Sequence, residues 1–261
     1  MIKMQQSKTQ KGLLGILEKF IRKNVILYYF VRNIVIYLNI FEDDFKILKN
    51  YYYRKPINII DIGASDGIAA NFFLKNLNVK KIFCYEPHKV FIEKLKKYKK
   101  NNKNIIIKEF GISHKKTKET IYYPIINLFG KQIPLLTYTF YNKNELIDQM
   151  KLDFTNHKNI QIKKSFIHLK KYKTLKNKID LIKIDINGLE FEIVKSLINQ
   201  IKKDKPMLII ENNTSLKNIY KFLKKYKYLK YCNINSKLIP HTNQKALDIF
   251  FIPNKIAWKK L

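Results

Sequence analysis

From residue 56 onward, short apolar runs alternate with segments whose apolar residues recur at helical spacing. The pattern predicts strands over residues 57–62, 81–85, 104–110, 179–185, 206–211, 228–234 and 247–252. It predicts helices over residues 69–77, 90–98, 190–201 and 215–226. Because buried parallel strands are apolar on both faces, this alternation predicts an α/β fold with a mostly parallel, doubly wound sheet of about seven strands.

Two stretches depart from the alternation. Residues 1–55 predict helices, with apolar residues at helical spacing over 13–21 and an apolar segment over 25–41. That segment is short for a membrane span and contains Arg32, so we expect a helical cap. Residues 112–178 carry β-like pieces at 120–123, 137–141 and 160–167 without a long amphipathic helix. The predicted organisation is a cap over 1–55 and a main domain over 56–261, with a β-rich insert at 112–178.

The charge of the chain is far from balanced. Its 52 Lys and Arg against 20 Asp and Glu give a formal charge of +32, and only three of the cations are Arg. An AT-rich coding sequence and a site for polyanions both explain this excess, and either way we expect attraction to anionic lipids and nucleic acid at low salt. Cys84 and Cys232 lie in apolar runs, as buried free thiols do. We therefore expect a cytoplasmic protein that can touch the inner face of a membrane reversibly.

The first candidate site follows the first two predicted strands. Asp61 ends the first strand and is followed by the loop Gly63-Ala64-Ser65-Asp66-Gly67, and Glu86 ends the second strand. An acid at the end of the second strand of such a unit holds the ribose hydroxyls of an adenosine cofactor. The loop lacks the third glycine that a dinucleotide requires, so it suits a cofactor without a pyrophosphate, such as S-adenosylmethionine.

The second candidate site is Asp180-Leu-Ile-Lys-Ile-Asp-Ile-Asn-Gly-Leu-Glu190. Lys183 and Asp185 alternate onto one face of a strand, and Glu190 stands where the next helix begins. Glu211 ends a further strand in the same way. Because the carboxyl ends of parallel strands share one edge of a sheet, we expect all these acids to converge at one rim.

Taken together, these segments resemble the FkbM family of S-adenosylmethionine-dependent methyltransferases. The resemblance covers residues 56–253, and its elements are Asp-Ile-Gly-Ala-Ser-Asp-Gly at 61–67, Glu86-Pro87, Gly-Ile-Ser at 111–113, residues 180–185, Gly188 with Glu190, residues 206–211 and Asp-Ile-Phe-Phe at 248–251. Ser65 stands where the family usually has Asn, and Asn187 where it usually has an acid.

The resemblance implies a Rossmann-like methyltransferase sheet and O-methyl transfer, often to a sugar of a glycan or glycosylated metabolite. It implies that S-adenosylmethionine is contacted by the following residues: Asp61, Gly63, Ala64, Ser65, Gly67, Glu86, Ile112 and Ser113. We expect Ile112 and Ser113 to flank the adenine. The alternative to cofactor binding is a purely structural role, in which Asp61 caps a turn and Glu86 is an ordinary acid in a loop.

A sugar hydroxyl is a poor nucleophile at neutral pH, so its methylation benefits from a base. We predict that Asp185 is that base and that Lys183 and Glu190 hold it in place. Asp185 could instead cap the following helix, and Lys183 could be only a buried ion-pair partner. No metal site is assigned, although Asp185 with Glu211 is a second possibility as a Mg²⁺ site. His114 and His168 in the insert are reserve candidates for the base.

Two rival functions remain open at this point. One is a methyltransferase with the same fold that acts on RNA, lipid or protein, which the positive charge favours and the scarcity of Arg opposes. The other is a catalytically silent, Lys-rich protein that binds membranes or polyanions, which the retention of both Asp61 and Glu86 opposes. The preferred partner is a glycan or small-molecule acceptor, with no specific nucleic acid.

Overall fold

The computed structural model describes residues 24–37, 43–135, 138–154, 160–186 and 188–254. Its helices are α1 Val25–Tyr37, a 3₁₀ helix Asp43–Ile47, α2 Leu48–Tyr51, α3 Ile68–Asn76, α4 Lys89–Asn101, α5 Lys143–Asp153, α6 Glu190–Ser196, α7 Ile198–Asp204 and α8 Leu216–Lys224. Its strands are β1 Ile57–Ile62, β2 Val79–Tyr85, β3 Ile105–Lys108, β4 Gly111–Ser113, β5 Thr117–Leu128, β6 Lys131–Pro134, β7 Gln161–Lys171, β8 Leu181–Ile184, β9 Met207–Glu211, β10 Tyr228–Ile234, β11 Lys237–Pro240 and β12 Asp248–Pro253.

These residues form two compact units. The sheet unit comprises the described parts of 42–117 and 169–261, and the insert unit comprises those of 6–41 and 118–168. The helical spacing predicted over 13–21 lies outside the described residues, as does residue 187. Within the described ranges, no helix is both long enough and apolar enough to cross a membrane.

The sheet unit contains one eight-stranded sheet in the order β11-β10-β12-β9-β8-β1-β2-β3. Strands β9, β8, β1, β2 and β3 are parallel neighbours, whereas β12 runs antiparallel between β9 and β10. This confirms the predicted α/β sheet, with one strand more than expected. The additional strand β11 pairs with β10 through a two-residue turn at Asn235 and Ser236, which both have positive φ as a hairpin turn of this type requires.

The two faces of the sheet are packed by different helices. Ile57, Ile59 and Leu181 point to one face and pack with Phe72 and Phe73 of α3. The alternate residues Ile60, Ile62, Ile182, Ile184 and Ile210 point to the other face, where they meet Ile193 and Val194 of α6 and Ile219 and Leu223 of α8. A strand that is covered on both faces has to be apolar at every position, which explains the continuous apolar runs of the sequence.

The insert unit corrects one expectation. Helix α5 occupies a stretch in which we expected no long helix, and its N-terminus is capped by Asn142, whose Oδ1 accepts the Asn144 backbone N–H at 2.8 Å. The sequence signal was the cap followed three residues later by Glu145. The strand predicted over 137–141 is also wrong. Over the described residues 138–141, only an isolated bridge between Phe140 and Tyr122 is found, and the Tyr138 backbone N–H donates to the Leu135 carbonyl at 3.0 Å.

Candidate active site

The predicted strand-end acids lie at one edge of the eight-stranded sheet. Asp61 is the last residue but one of β1, and Glu86 directly follows β2. Asp185 directly follows β8, and Glu211 is the last residue of β9. Because β12 is antiparallel, its first residue reaches the same edge, and Asp248 stands opposite Glu211 in the register. Asp248 was not assigned a site role from sequence, since a residue that begins a strand lies at this edge only when the strand is reversed.

The glycine loop after β1 fits closely against the neighbouring strand ends. The Gly63 backbone N–H donates to the Tyr85 carbonyl at 3.1 Å, and the φ of Gly63 is +76°. A Cβ at this position would lie 1.9 Å from the carbonyl oxygen of Asp185, so no other residue fits without moving the backbone. Ser65 has a φ of +50°, which is uncommon for a residue with a side chain and is typical of strained loops at functional sites.

Glu86 ties this loop to the end of β2. Its Oε2 accepts the Ser65 backbone N–H at 2.9 Å, and its Oε1 accepts the His88 backbone N–H at 2.8 Å. The side chain is buried, and that burial raises the pKa of Glu86 to about 7 despite the two hydrogen bonds, which favour the ionised form. Each carboxylate oxygen keeps a further lone pair for a ligand.

A buried lysine links Asp61 to Asp185. Asp61 and Lys183 are opposite each other in the parallel register of β1 and β8, so their side chains share one face. The Lys183 Nζ lies 3.7 Å from Asp61 Oδ1 and 3.1 Å from Asp185 Oδ2. Lys183 is 6% exposed and Asp185 is 46% exposed, so the pair connects the interior of the sheet with its open edge. Burial raises the pKa of Asp61, and the positive charge of Lys183 opposes this effect.

Three further acids surround this pair. Glu190 is buried at the start of α6, and its Oε1 accepts the Gly188 backbone N–H at 2.9 Å, whereas its Oε2 has no hydrogen-bond partner among the described residues. Burial raises the pKa of Glu211 to about 8, with the charges of Asp185, Glu190 and Asp248 adding to the effect. Burial likewise raises the pKa of Asp248 to about 7. The predicted role of Glu190 in holding Asp185 stays a prediction.

The remaining predicted residues differ in burial and in local conformation. Ala64 is buried, and Ile112 in β4 packs into the apolar cluster that contains Tyr85 and Tyr172. Ser113 is half-buried. Gly67 precedes α3 with a φ of +86°. The two reserve bases, His114 and His168, are both exposed.

Two other findings bear on what the site can hold. A cleft of about 670 Å³ lies at the opposite edge of the sheet, where its walls include Tyr52, Arg54 and Asn78, and it contains none of the predicted site residues. Among the residues that the structure describes, no three His, Cys, Asp or Glu side chains are arranged to hold a metal ion.

The residues at the carboxyl edge fit S-adenosylmethionine. Both carboxylate oxygens of Asp61 are buried, and within the described ranges neither has a hydrogen-bond partner, which is costly unless a ligand donates to them. Glu86 offers free lone pairs beside the loop. Because Gly63 has no side chain, it does not occupy the space between the loop and Asp185. A ligand with an ammonium group and two ribose hydroxyls supplies the donors that these acceptors lack.

Comparison with known proteins agrees with this arrangement. Residues 61–230 match the family model described as the methyltransferase FkbM domain, which is more than half of the chain. No curated protein matches. The match covers both strand-end acids, the Lys183–Asp185 pair and the Glu211 strand end.

Several solved methyltransferases resemble the chain at low identity. A methyltransferase FkbM from Methylobacillus flagellatus KT is 14% identical with a TM-score of 0.47, and the similarity covers 85% of this chain and 59% of that one. A ribosomal protein L11 methylase from Lactobacillus delbrueckii subsp. bulgaricus is 13% identical (TM-score 0.40, covering 79% and 72%). The M. capricolum TrmK in complex with S-adenosyl-homocysteine is 15% identical (TM-score 0.35, covering 78% and 65%).

All three TM-scores lie below 0.5, so these likenesses carry no argument about substrate. The chain spans only 59% of the length of the M. flagellatus protein. The family assignment rests instead on the matched domain, which spans residues 61–230 and includes the strand-end acids and the glycine loop at the carboxyl edge of the sheet. The chain therefore belongs to the FkbM family of methyltransferases, which use S-adenosylmethionine as methyl donor.

Proposed function

We propose that the protein transfers a methyl group from S-adenosylmethionine to a hydroxyl group of a sugar, in a glycan or a glycosylated metabolite. The observation that carries this proposal is the Lys183–Asp185 pair. Asp185 is half exposed at the edge of the sheet, one strand away from the glycine loop, and a buried ammonium at 3.1 Å holds its carboxylate. A carboxylate that is both accessible and fixed is suited to accept a proton from an acceptor hydroxyl.

The roles of the other residues follow from their surroundings. Asp61 and Glu86 would hold the ammonium and ribose of the donor, and the Gly63 loop would lie against it. S-adenosylmethionine supplies a methyl group that is already activated on a sulfonium, so the chain has to position the acceptor and exclude water. Lys183 is a positioning residue, because it lies between two carboxylates and is itself almost fully buried.

In the proposed reaction, bound S-adenosylmethionine would supply the methyl group, whose bond to the sulfonium sulfur would break as the bond to the acceptor oxygen forms, leaving S-adenosylhomocysteine. Asp185 Oδ1 would accept the proton of the acceptor hydroxyl. Asp185 Oδ2 stays paired with Lys183, which keeps the plane of the carboxylate fixed. A base positioned in this way contributes about 10²–10⁴ in rate.

The experiment compares Asp185→Asn with the wild type, using labelled S-adenosylmethionine and a panel of glycans and lipid-linked sugars. We expect turnover to fall by about 10²–10⁴ while cofactor affinity stays within a few-fold. Glu93→Gln is the matched control, since Glu93 is an exposed acid with a lysine at 3.2 Å in the same unit and lies outside the proposed site. Near-normal turnover in Asp185→Asn refutes the assignment of the base and moves attention to His114 and His168.

One observation favours a second candidate, a methyltransferase that acts on RNA, lipid or protein. The formal charge of +32 attracts polyanions irrespective of the site. The six carboxylates at the edge of the sheet oppose an RNA acceptor, because they would repel phosphates near the proposed site of methyl transfer. Transfer of labelled methyl to RNA but to no sugar in the panel would favour this candidate.

Reversible contact with an anionic membrane is a further part of the proposal. Leu27, Phe30 and Ile34 of α1 are exposed and recur at helical spacing, so they lie on one side of that helix. An exposed apolar side in a strongly basic chain supports interfacial binding. Sedimentation with anionic vesicles should show binding that falls steeply with salt, and a Leu27→Ser, Phe30→Ser, Ile34→Ser variant should lose it. Binding that is unchanged in this variant would contradict the role of α1.

A further inference from the structure

The carboxyl edge of the sheet is strongly acidic although the chain is strongly basic. Together with Glu86, the residues Asp61, Asp185, Glu190, Glu211 and Asp248 make up six of the 20 acids of the chain, and Lys183 lies among them. Six carboxylates and one ammonium give a formal charge of −5 at this edge, against +32 for the whole chain. Such a local reversal of sign selects ligands by charge.

The acids at this edge differ in the ion pairs and hydrogen bonds that they already form within the protein. Asp185 is paired with Lys183, and Asp61 lies on the other side of the same ammonium, 3.7 Å from it. Glu190 is fully buried, and only one of its two oxygens accepts a hydrogen bond from the part of the chain that the structure describes. Its charge is close enough to Glu211 to raise the pKa of that carboxyl. A buried carboxylate oxygen without a donor is costly, so this position is built to receive a donor from a ligand.

Glu211 and Asp248 form the second part of this acceptor side. They face each other directly across β9 and β12, so their side chains leave the same face of the sheet. Lys183 and Asp185 leave that face too, since Lys183 pairs in register with Ile209, two residues before Glu211. Burial raises the pKa of Glu211 to about 8 and that of Asp248 to about 7, so near neutral pH the two carboxyls compete for a proton. Their mutual repulsion is relieved by a cation placed between them.

The donor leaves part of this negative charge uncompensated. S-adenosylmethionine carries a sulfonium, an ammonium and a carboxylate, so its net charge is only one positive. With a formal charge of −5 at the edge of the sheet, four negative charges remain when every acid is ionised, and three when Glu211 and Asp248 share a proton. Beside a neutral sugar these buried carboxyls would have to be neutralised by protons, which their raised pKa values favour, whereas a cationic acceptor would keep them ionised; a uronic acid or sugar phosphate would add to the negative charge.

Resting on the proposed function, we propose that the acceptor is an amino sugar with a free, protonated amine, bound through that ammonium by Glu190, Glu211 and Asp248. The ammonium supplies three donors, which match the unpartnered oxygen of Glu190 and the two facing carboxyls. A hydroxyl on the same ring is thereby directed to Asp185, which takes its proton. The ammonium itself is not methylated, because its nitrogen lone pair is held by a proton.

The experiment measures binding and methyl transfer separately, with S-adenosylhomocysteine present for binding. The probes are the methyl glycosides of glucosamine, N-acetylglucosamine, glucose and glucuronic acid, which share one ring. We expect glucosamine to bind at least about tenfold more tightly than glucose or N-acetylglucosamine, with glucuronate the weakest. The preference should shrink as salt is added, because salt screens charges.

Variants assign the preference to the named residues. Glu211→Gln and Asp248→Asn should each reduce the preference for glucosamine over glucose several-fold while leaving the affinity for glucose within about two-fold. Glu93→Gln, which removes a surface acid outside the site, should leave the preference unchanged. Equal binding of glucosamine and N-acetylglucosamine, or a preference for glucuronate, would overturn the inference.

The two readouts separate this inference from the function on which it rests. Labelled methyl on sugars without any preference for the free amine would retain the proposed function and refute the amino-sugar acceptor. Selective binding of glucosamine without methyl transfer to any sugar would refute the proposed function and retain the cation site. Loss of the preference in Glu211→Gln is interpretable only with a folded variant, which an unchanged affinity for S-adenosylhomocysteine verifies.

Discussion

The donor site should bind its cofactor product in a pH-dependent way, and Glu86 sets that dependence. Burial raises the pKa of Glu86 to about 7, above its usual value of 4.5. Ribose hydroxyls donate hydrogen bonds to the ionised carboxylate, so the ligand binds the ionised form more tightly. Affinity should therefore be highest above pH 7 and should decrease as the pH falls through 7.

The magnitude follows from the ionised fraction. With a pKa of about 7, Glu86 is about nine-tenths ionised at pH 8 and about one-tenth ionised at pH 6. If only the ionised form binds, the affinity falls about tenfold between these two pH values, which is about 1.4 kcal/mol. The two backbone N–H groups of Ser65 and His88 compete for the same oxygens, so the full decrease is an upper bound.

Calorimetric titration with S-adenosylhomocysteine at several pH values provides the measurement. In Glu86→Gln one backbone donor would face an amide N–H, so affinity at pH 8 should fall by about 1–3 kcal/mol and the slope with pH should disappear. Asp248→Asn is the control, since it removes another group that titrates near pH 7 but should leave the slope intact. A wild-type affinity that is equal at pH 6 and pH 8 would refute the assignment of Glu86 to the ribose.

Three further predictions concern the framework of the site. Gly63→Ala should lower the free energy of unfolding by about 3–5 kcal/mol, because it combines a left-handed conformation with a Cβ at 1.9 Å from a carbonyl oxygen. Gly130 has a similar φ but open space around it, so Gly130→Ala should lower the free energy of unfolding, measured by urea denaturation, by only about 1–2 kcal/mol. Equal losses in the two variants would contradict the close contact between Gly63 and Asp185. Lys183→Met should cost about 3–5 kcal/mol, since it leaves Asp61 as an unpaired buried acid, and adding Asp61→Asn should restore part of this loss in a double-mutant cycle. Asn142→Ala should cost about 1 kcal/mol through loss of the helix cap, and an unchanged denaturation midpoint would contradict that cap.

The sequence predicted the layout of the sheet and the edge that carries the site. It did so because strands covered on both faces are apolar at every position, so an acid at the end of such a run marks the point where the strand leaves the core. Asp61, Glu86, Asp185 and Glu211 were found in this way. The family resemblance then supplied the cofactor, which spacing alone could only narrow to a ligand without a pyrophosphate.

The parts that were missed depend on pairing between distant segments. The contact of Lys183 with Asp61 follows from the register of β1 and β8, which local patterns do not fix. Asp248 was overlooked as a site residue because its strand inserts in the reverse direction between β9 and β10. In contrast, helix α5 did carry a local signal, the cap at Asn142, which the β-like composition around it obscured.

The contact between Gly63 and Asp185 has a consequence for how new specificities can arise. Gly63 has no side chain to separate its loop from the end of β8, and the Asp185 backbone N–H donates to the Ile62 carbonyl at 3.1 Å. The separation of the two segments is thus fixed by main-chain atoms, which no rotamer change can alter. If the proposed function is correct, substitutions at Glu190, Glu211 or Asp248 would change which acceptor binds while the spacing between the glycine loop and Asp185 stays the same. Acceptor specificity could then be engineered separately from the main-chain contacts that position the proposed donor and base.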